Sequence, residues 1–178
     1  MNQIDALRDV VAAFDAAGIE HWLFGGWAVD FHAGRVTREH GDVDLGIWLD
    51  DMPRIDEVLA AGGWEDLRDP DVDGGKAFGR DGVRLELTYL YRDPDGAVYT
   101  PLRDGTRGRW TDQALADEVG ELDGVRCRVV SLASMLWMKE PGRRNDPEEA
   151  SKDVADYEVL RASTLRRDPV PPSSFQRL

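Results

Sequence analysis

The run WLFGGWAVDFHAGRVTREHGDVDL, residues 22–45, sets a Gly25-Gly26 pair about one short helix upstream of Asp42 and Asp44. Lacking a Cβ, a glycine pair lets backbone come close to phosphate oxygens. A helix starting there adds unsatisfied N–H groups and the positive end of its dipole. Asp42 and Asp44 alternate along an expected strand, where residues two apart share a face, so both can grip the same divalent cations. Carboxylate oxygens are hard donors suited to Mg²⁺, which in turn bridges phosphates. The spacing therefore permits metal-assisted handling of a nucleoside triphosphate.

The elements around these residues follow from periodicity. Ile4, Leu7, Val10, Val11 and Phe14 recur at helical spacing over residues 3–17, and Gly18 is the natural stop. HWLF (21–24) reads as a buried strand running into the glycine pair, a short helix follows, and Gly34 ends it. DVDLGIWL (42–49) is a strand. Asp50-Asp51-Met52-Pro53 then opens a helix carrying Ile55, Val58 and Leu59 to Gly62-Gly63, with Asp50 or Asp51 as its cap. Strands are expected at 64–67, 76–79, 83–91 and 97–100, the last after the turn Asp93-Pro94-Asp95-Gly96. A further hairpin, 119–122 and 125–130, turns at Asp123-Gly124. Ser131 caps a helix to Lys139, and a last helix over 147–161 carries a Val154, Tyr157, Leu160 stripe. This order gives an α+β class: a mixed sheet flanked by helices, with a small helical part at the C-terminus. The expected organisation is a catalytic domain over 1–130, helices packed on it over 131–165, and an extended tail over 166–178.

Composition narrows the function classes. Apolar residues make up 42% and charged residues 32% of 178, the balance of a soluble globular chain, and no stretch approaches a membrane span. The N-terminus lacks the pattern of a secretory signal, so the expected location is the cytoplasm. A net charge of −13 argues against general affinity for nucleic acid and would attract metal ions or a small polycation. The single cysteine, Cys127, has no partner for a disulfide and is read as core packing.

WLFGGWAVD followed by TREHGDVDL resembles the nucleotidyltransferase superfamily typified by DNA polymerase beta, and more closely the aminoglycoside and lincosamide nucleotidyltransferases. The resemblance implies a glycine pair before a helix, an Asp-x-Asp on the next strand, and a third carboxylate on a later strand. Here these are Gly25-Gly26, Asp42-x-Asp44 and, within GVRLELTYL, Glu86 in place of the more usual aspartate. The three carboxylates are then the expected catalytic and metal-binding residues. With a nucleoside triphosphate they would hold two Mg²⁺ ions about 3.5 to 4 Å apart. Glu86 would complete a metal shell or take the acceptor's proton.

Arg38, in the turn before the aspartates, is expected to pair with phosphate or with an aspartate. The resemblance adds Lys139, as a lysine reaching the triphosphate, and Lys152, in EASKDVADYEVL, as a basic residue approaching the nucleotide. Asp30 recurs in the family's motif and is expected to bond backbone, Arg35 or Arg38, while His40 stays open between surface and site roles. Among the tryptophans, Trp22, Trp48 and Trp137 are expected in the core, Trp27 beneath the phosphate loop, and Trp110 beside an acceptor pocket. The implied activity moves a nucleoside monophosphate, AMP first, from a triphosphate such as ATP to a hydroxyl of a small cationic acceptor. An aminoglycoside is the first candidate, a lincosamide the next. The alternatives are a toxin-type nucleotidyltransferase acting on RNA or protein, and a catalytically weak nucleotide-binding relative. A homodimer could complete an acceptor site left open by so small a domain.

Overall fold

The structure, a computed structural model, describes residues 1–166; the tail expected over 166–178 lies outside this range except for Arg166. Helix α1 (Gln3–Ala17) starts where the Asn2 side chain accepts the Asp5 N–H at 2.8 Å, and stops at Gly18 in the left-handed conformation. Strand β1 (His21–Phe24) runs directly into α2 (Gly25–Ala33), which Gly34 ends. Next come β2 (Val43–Trp48), a 3-10 turn (Leu49–Asp51) and α3 (Met52–Ala61). Asp51 stands at the start of α3 without capping it, because its carboxylate takes Arg54 Nη2 at 2.8 Å instead.

Among the described residues a seven-stranded mixed sheet forms from β1, β2, β3 (Glu65–Asp66), β4 (Gly75–Arg80), β5 (Val83–Arg92), β6 (Val98–Pro101) and β7 (Arg107–Arg109). Its main order is β1-β2-β5-β4-β3, with β6 beside the far end of β5 and β7 on β6. Only β2 and β5 are parallel, in a register that sets Asp44 opposite Glu86. Alternation sorts the two faces. Val43, Leu45, Ile47, Leu85 and Leu87 are buried and share one core with Leu7 and Phe14 of α1 and Ile55 and Leu59 of α3. Phe24, Asp44, Glu86 and Thr88 fall on the opposite face.

The hairpin β8 (Val119–Leu122) and β9 (Val125–Arg128) turns at Asp123-Gly124, both at positive φ, and touches the sheet edge through the Leu23–Val129 bridge. Helix α4 (Leu132–Met138) is capped by Ser131, whose hydroxyl accepts the Ser134 N–H. Helix α5 (Pro147–Arg166) runs past the expected end at Arg161, since nothing between 161 and 166 breaks it. Its buried stripe also differs: Asp153, Asp156, Leu160 and Ser163 face inward and Val154 is exposed. Trp137 is 45% exposed rather than core, because it sits on the outer side of α4 under the Arg143 guanidinium. None of the described helices is long and apolar enough to cross a membrane.

Candidate active site

Gly25 opens α2 at φ 65°, a conformation that favours glycine, and a Cβ placed on it would lie 1.9 Å from Asp44 Oδ2. A Cβ on Gly26 would lie 2.3 Å from His40 Nδ1 and 2.8 Å from Arg38 Nη2. The turn is thus pressed between the Asp-x-Asp strand and the loop before it, and no side chain fits at either position.

The β2–β5 register brings Asp42, Asp44 and Glu86 together, with one carboxylate oxygen from each inside 4.8 Å of the others. Burial pushes Asp44 up, and the neighbouring charges of Asp42 and Glu86 push it further, to about 8; Lys139 and Arg144 only partly offset this. Three clustered carboxylates, one of them pushed that far, suit a hard divalent cation, whose charge would relieve the repulsion. Glu86 is braced from one side by Arg84, whose Nε donates to Oε1 at 2.6 Å and whose Nη2 also binds Asp69 at 2.7 Å.

A second group of charges lies behind this cluster. Lys139, only 6% exposed, donates to Asp153 Oδ1 at 2.7 Å and pairs with Asp156 Oδ2 at 3.0 Å. Arg38 donates Nε and Nη2 to the two oxygens of Asp156, both at 3.0 Å, a fork geometry that raises its already high affinity for the proton. Burial would push Asp156 up, but Arg38 and Lys139 outweigh it and hold this carboxyl below its ordinary range. Arg144 pairs with Asp153 from the outside at 3.0 Å. Asp30, fully buried, accepts the Thr37 N–H and hydroxyl and lies 2.6 Å from His40 Nε2, so it ties the 35–41 loop to α2.

Of the residues singled out in the sequence, Gly25, Gly26, Asp42, Asp44 and Glu86 converge on one face of the sheet. Arg38 stands at the Gly26 turn and takes Asp156 as its carboxylate partner rather than Asp42 or Asp44. Lys139 is close enough to Asp44 to draw its proton affinity down. Lys152 does not join them: it lies on the outer surface of α5 and pairs with Glu148 and Glu149 at 2.9 and 3.0 Å. Asp30 pairs with Thr37 and His40 rather than with Arg35 or Arg38; the Arg38 guanidinium is taken up by Asp156. Trp27 packs at the loop as expected, its Nε1 on Gln3 and its ring 4.8 Å from His40. Sequence reading missed Asp153, Asp156, Arg84 and Arg144. The signal was present for the first two: they stand at i and i+3 in register with Leu160, the spacing of one helix face.

The sequence model of the aminoglycoside-2''-adenylyltransferase family matches residues 6–153. The chain belongs to this family. A 44-residue stretch is 44% identical to a 2''-aminoglycoside nucleotidyltransferase of Klebsiella pneumoniae and 43% identical to one of Escherichia coli. That stretch spans a quarter of this chain and a quarter of those relatives. Two solved structures share the fold at low identity. The lincomycin-bound lincosamide antibiotic adenylyltransferase LnuA superposes with a TM-score of 0.71 at 16% identity, over 92% of this chain and 98% of its own. ANT(2")-Ia in complex with adenylyl-2"-tobramycin superposes with a TM-score of 0.69 at 19% identity, over 92% and 90%. The family's α+β nucleotidyltransferase fold is therefore the fold of this chain.

Proposed function

We propose that the protein transfers AMP from ATP to a hydroxyl of an aminoglycoside, releasing pyrophosphate. The observation that carries this reading is the convergence of Asp42, Asp44 and Glu86 within 4.8 Å, with Gly25 pressed against Asp44. The three carboxylates would hold Mg²⁺, two ions when the triphosphate is present, which supplies Lewis-acid polarisation of the phosphate oxygens. The Gly25-Gly26 turn and the N–H groups opening α2 receive the β- and γ-phosphates, where the helix dipole favours negative charge. Lys139 and Arg144 flank the cluster from the α4–α5 side and weaken its negative field at Asp44.

In the transfer itself the acceptor oxygen bonds to the α-phosphorus as the bond from that phosphorus to the bridging oxygen breaks. The electron pair leaves with pyrophosphate. Glu86, held in place by Arg84, takes the hydroxyl proton. A cationic acceptor agrees with the net charge of −13 and with the tobramycin adduct named for the structural relative. The test is pyrophosphate release with Mg²⁺ and ATP across aminoglycosides and lincosamides, with Asp44→Asn as control. Release that needs an aminoglycoside and disappears in the variant is expected; silence across the panel overturns the reading.

A further inference from the structure

On the Asp44 face of the sheet, Phe24 stands opposite Asp44 in the β1–β2 register, and its ring meets Trp110 edge-on at 5.6 Å between centroids. Directly opposed residues of an antiparallel pair bring their Cβ atoms to about 5 Å. Trp110 is therefore two side-chain contacts from the catalytic carboxylate. Trp110 in turn forms one wall of a cavity of about 130 Å³, closed by Ala114, Trp137 and Met138 and floored by the hydroxyl-bearing Thr100 and Ser134. The slot is fixed in shape: Trp110 Nε1 donates to Thr100 Oγ1 at 2.9 Å, and Ala114 is fully buried. Trp137, by contrast, keeps 45% of its surface exposed, backed on one face by Arg143 with the guanidinium carbon 3.6 Å from the ring centroid. Two residues beyond Trp137, Lys139 turns toward the carboxylate cluster. The same helix end thus carries the slot and the charge.

Resting on the reading above, we propose that this Trp110–Trp137 slot takes the nucleobase of the nucleotide, while the triphosphate lies along the Gly25-Gly26 turn. Its apolar lining and single-heterocycle size suit a planar, uncharged ring that stacks on indole. They do not suit the acceptor, several saturated rings bearing ammonium groups. Among the described residues the lining carries no carboxylate to pair with such ammonium groups.

The experiment is calorimetric titration of the full chain with Mg²⁺ and either a non-hydrolysable ATP analogue or inorganic tripolyphosphate. Wild type is compared with Trp137→Ala and Trp137→Phe, with steady-state KM values for ATP and for the acceptor alongside. Expected is a roughly ten- to hundredfold weaker affinity for the analogue in Trp137→Ala, the range of base–aromatic stacking, with Phe restoring most of it. Tripolyphosphate affinity and acceptor KM stay unchanged. Equal analogue affinity in wild type and Trp137→Ala overturns the slot and leaves the nucleotidyltransferase reading intact, as does a loss that falls on acceptor KM alone. An analogue that fails to bind wild type overturns both.

Discussion

Replacing Asp44 by asparagine separates what the carboxylate cluster costs from what it is used for. Two like charges 4.8 Å apart repel by about 3.5 kcal/mol at an effective dielectric constant of about 20, and Asp44 faces two such neighbours. Burial, Asp42 and Glu86 together hold it up to about 8, against 3.8 for an unhindered aspartate. Because the folded value lies above the unfolded one, the stability involved is present in full below about pH 4 and is lost as the pH rises through 8. In that window the unfolded chain releases a proton that the folded chain retains. At pH 7, about three pH units above the unfolded value, the loss is roughly 4 kcal/mol at 1.36 kcal/mol per unit; water at the rim of the site lowers it to about 2–4 kcal/mol. Asp44→Asn removes this burden. In chelator at pH 7 the variant should melt about 4–16 °C above wild type, and the difference should vanish near pH 4. Mg²⁺ should then raise the melting temperature of wild type alone, and pyrophosphate release by the variant should fall by at least about 10²-fold. A variant no more stable than wild type in chelator, or one that Mg²⁺ stabilises equally, would refute the reasoning.

Gly25→Ala forces Asp44 off the cluster, since the new Cβ would sit 1.9 Å from its Oδ2. A displacement of about 1 Å at the reacting centre predicts a roughly 10²-fold loss of turnover and a weakened Mg²⁺ shift in thermal unfolding. Lys139→Met strands Asp153 and Asp156 without one of their counter-charges, and urea unfolding should show a loss of about 3–5 kcal/mol. Adding Asp153→Asn should recover part of it. Lys152→Ala touches only exposed pairs with Glu148 and Glu149, so stability should move by less than about 0.5 kcal/mol and calorimetric nucleotide affinity should not move at all. Cys127 is buried, and burial pushes its thiol up to about 12, so a thiol reagent at pH 8 should label the native protein slowly and the urea-unfolded chain at once.

The part of this molecule legible in the sequence is the part built from local signals. Gly18 and Gly34 end helices because both adopt the left-handed conformation, and Asp123-Gly124 turns a hairpin because both residues take positive φ. The 42–44 alternation fixed a shared face, and a single parallel pairing then set Glu86 opposite Asp44. What stayed hidden depended on contacts between distant segments. The partner of Arg38 lies 118 residues away on α5, and nothing near Arg38 announces Asp156. Trp137 has apolar neighbours in sequence, yet helical geometry turns Leu132 and Met135 inward and leaves the indole outside. In Lys152-Asp153 the charge that faces the site is the second, because α5 presents residues 153, 156 and 160 to the core and lysine falls on the other side.

The distribution of charge around the site bears directly on how it could accept a triphosphate. Asp42, Asp44, Glu86, Asp153 and Asp156 are gathered here with Arg38, Arg84, Lys139 and Arg144. Each of these four cations is already committed to a carboxylate: Arg38 to Asp156, Arg84 to Glu86 and Asp69, Lys139 to Asp153 and Asp156, Arg144 to Asp153 and Glu149. Burial, with Asp42 and Glu86 beside it, pushes Asp44 up, and the two nearby cations, committed elsewhere, offset this only in part. A triphosphate brings several further negative charges into the same low-dielectric cleft. Trading partners among the existing cations only moves the deficit from one carboxylate to another, since buried Asp153 and Asp156 would be left unpaired in turn. Among the described residues around the cluster, these four cations therefore leave no spare positive charge for an incoming anion. If the site takes a triphosphate, as proposed above, divalent cations held by Asp42, Asp44 and Glu86 would supply the positive charge that α4, α5 and the sheet do not.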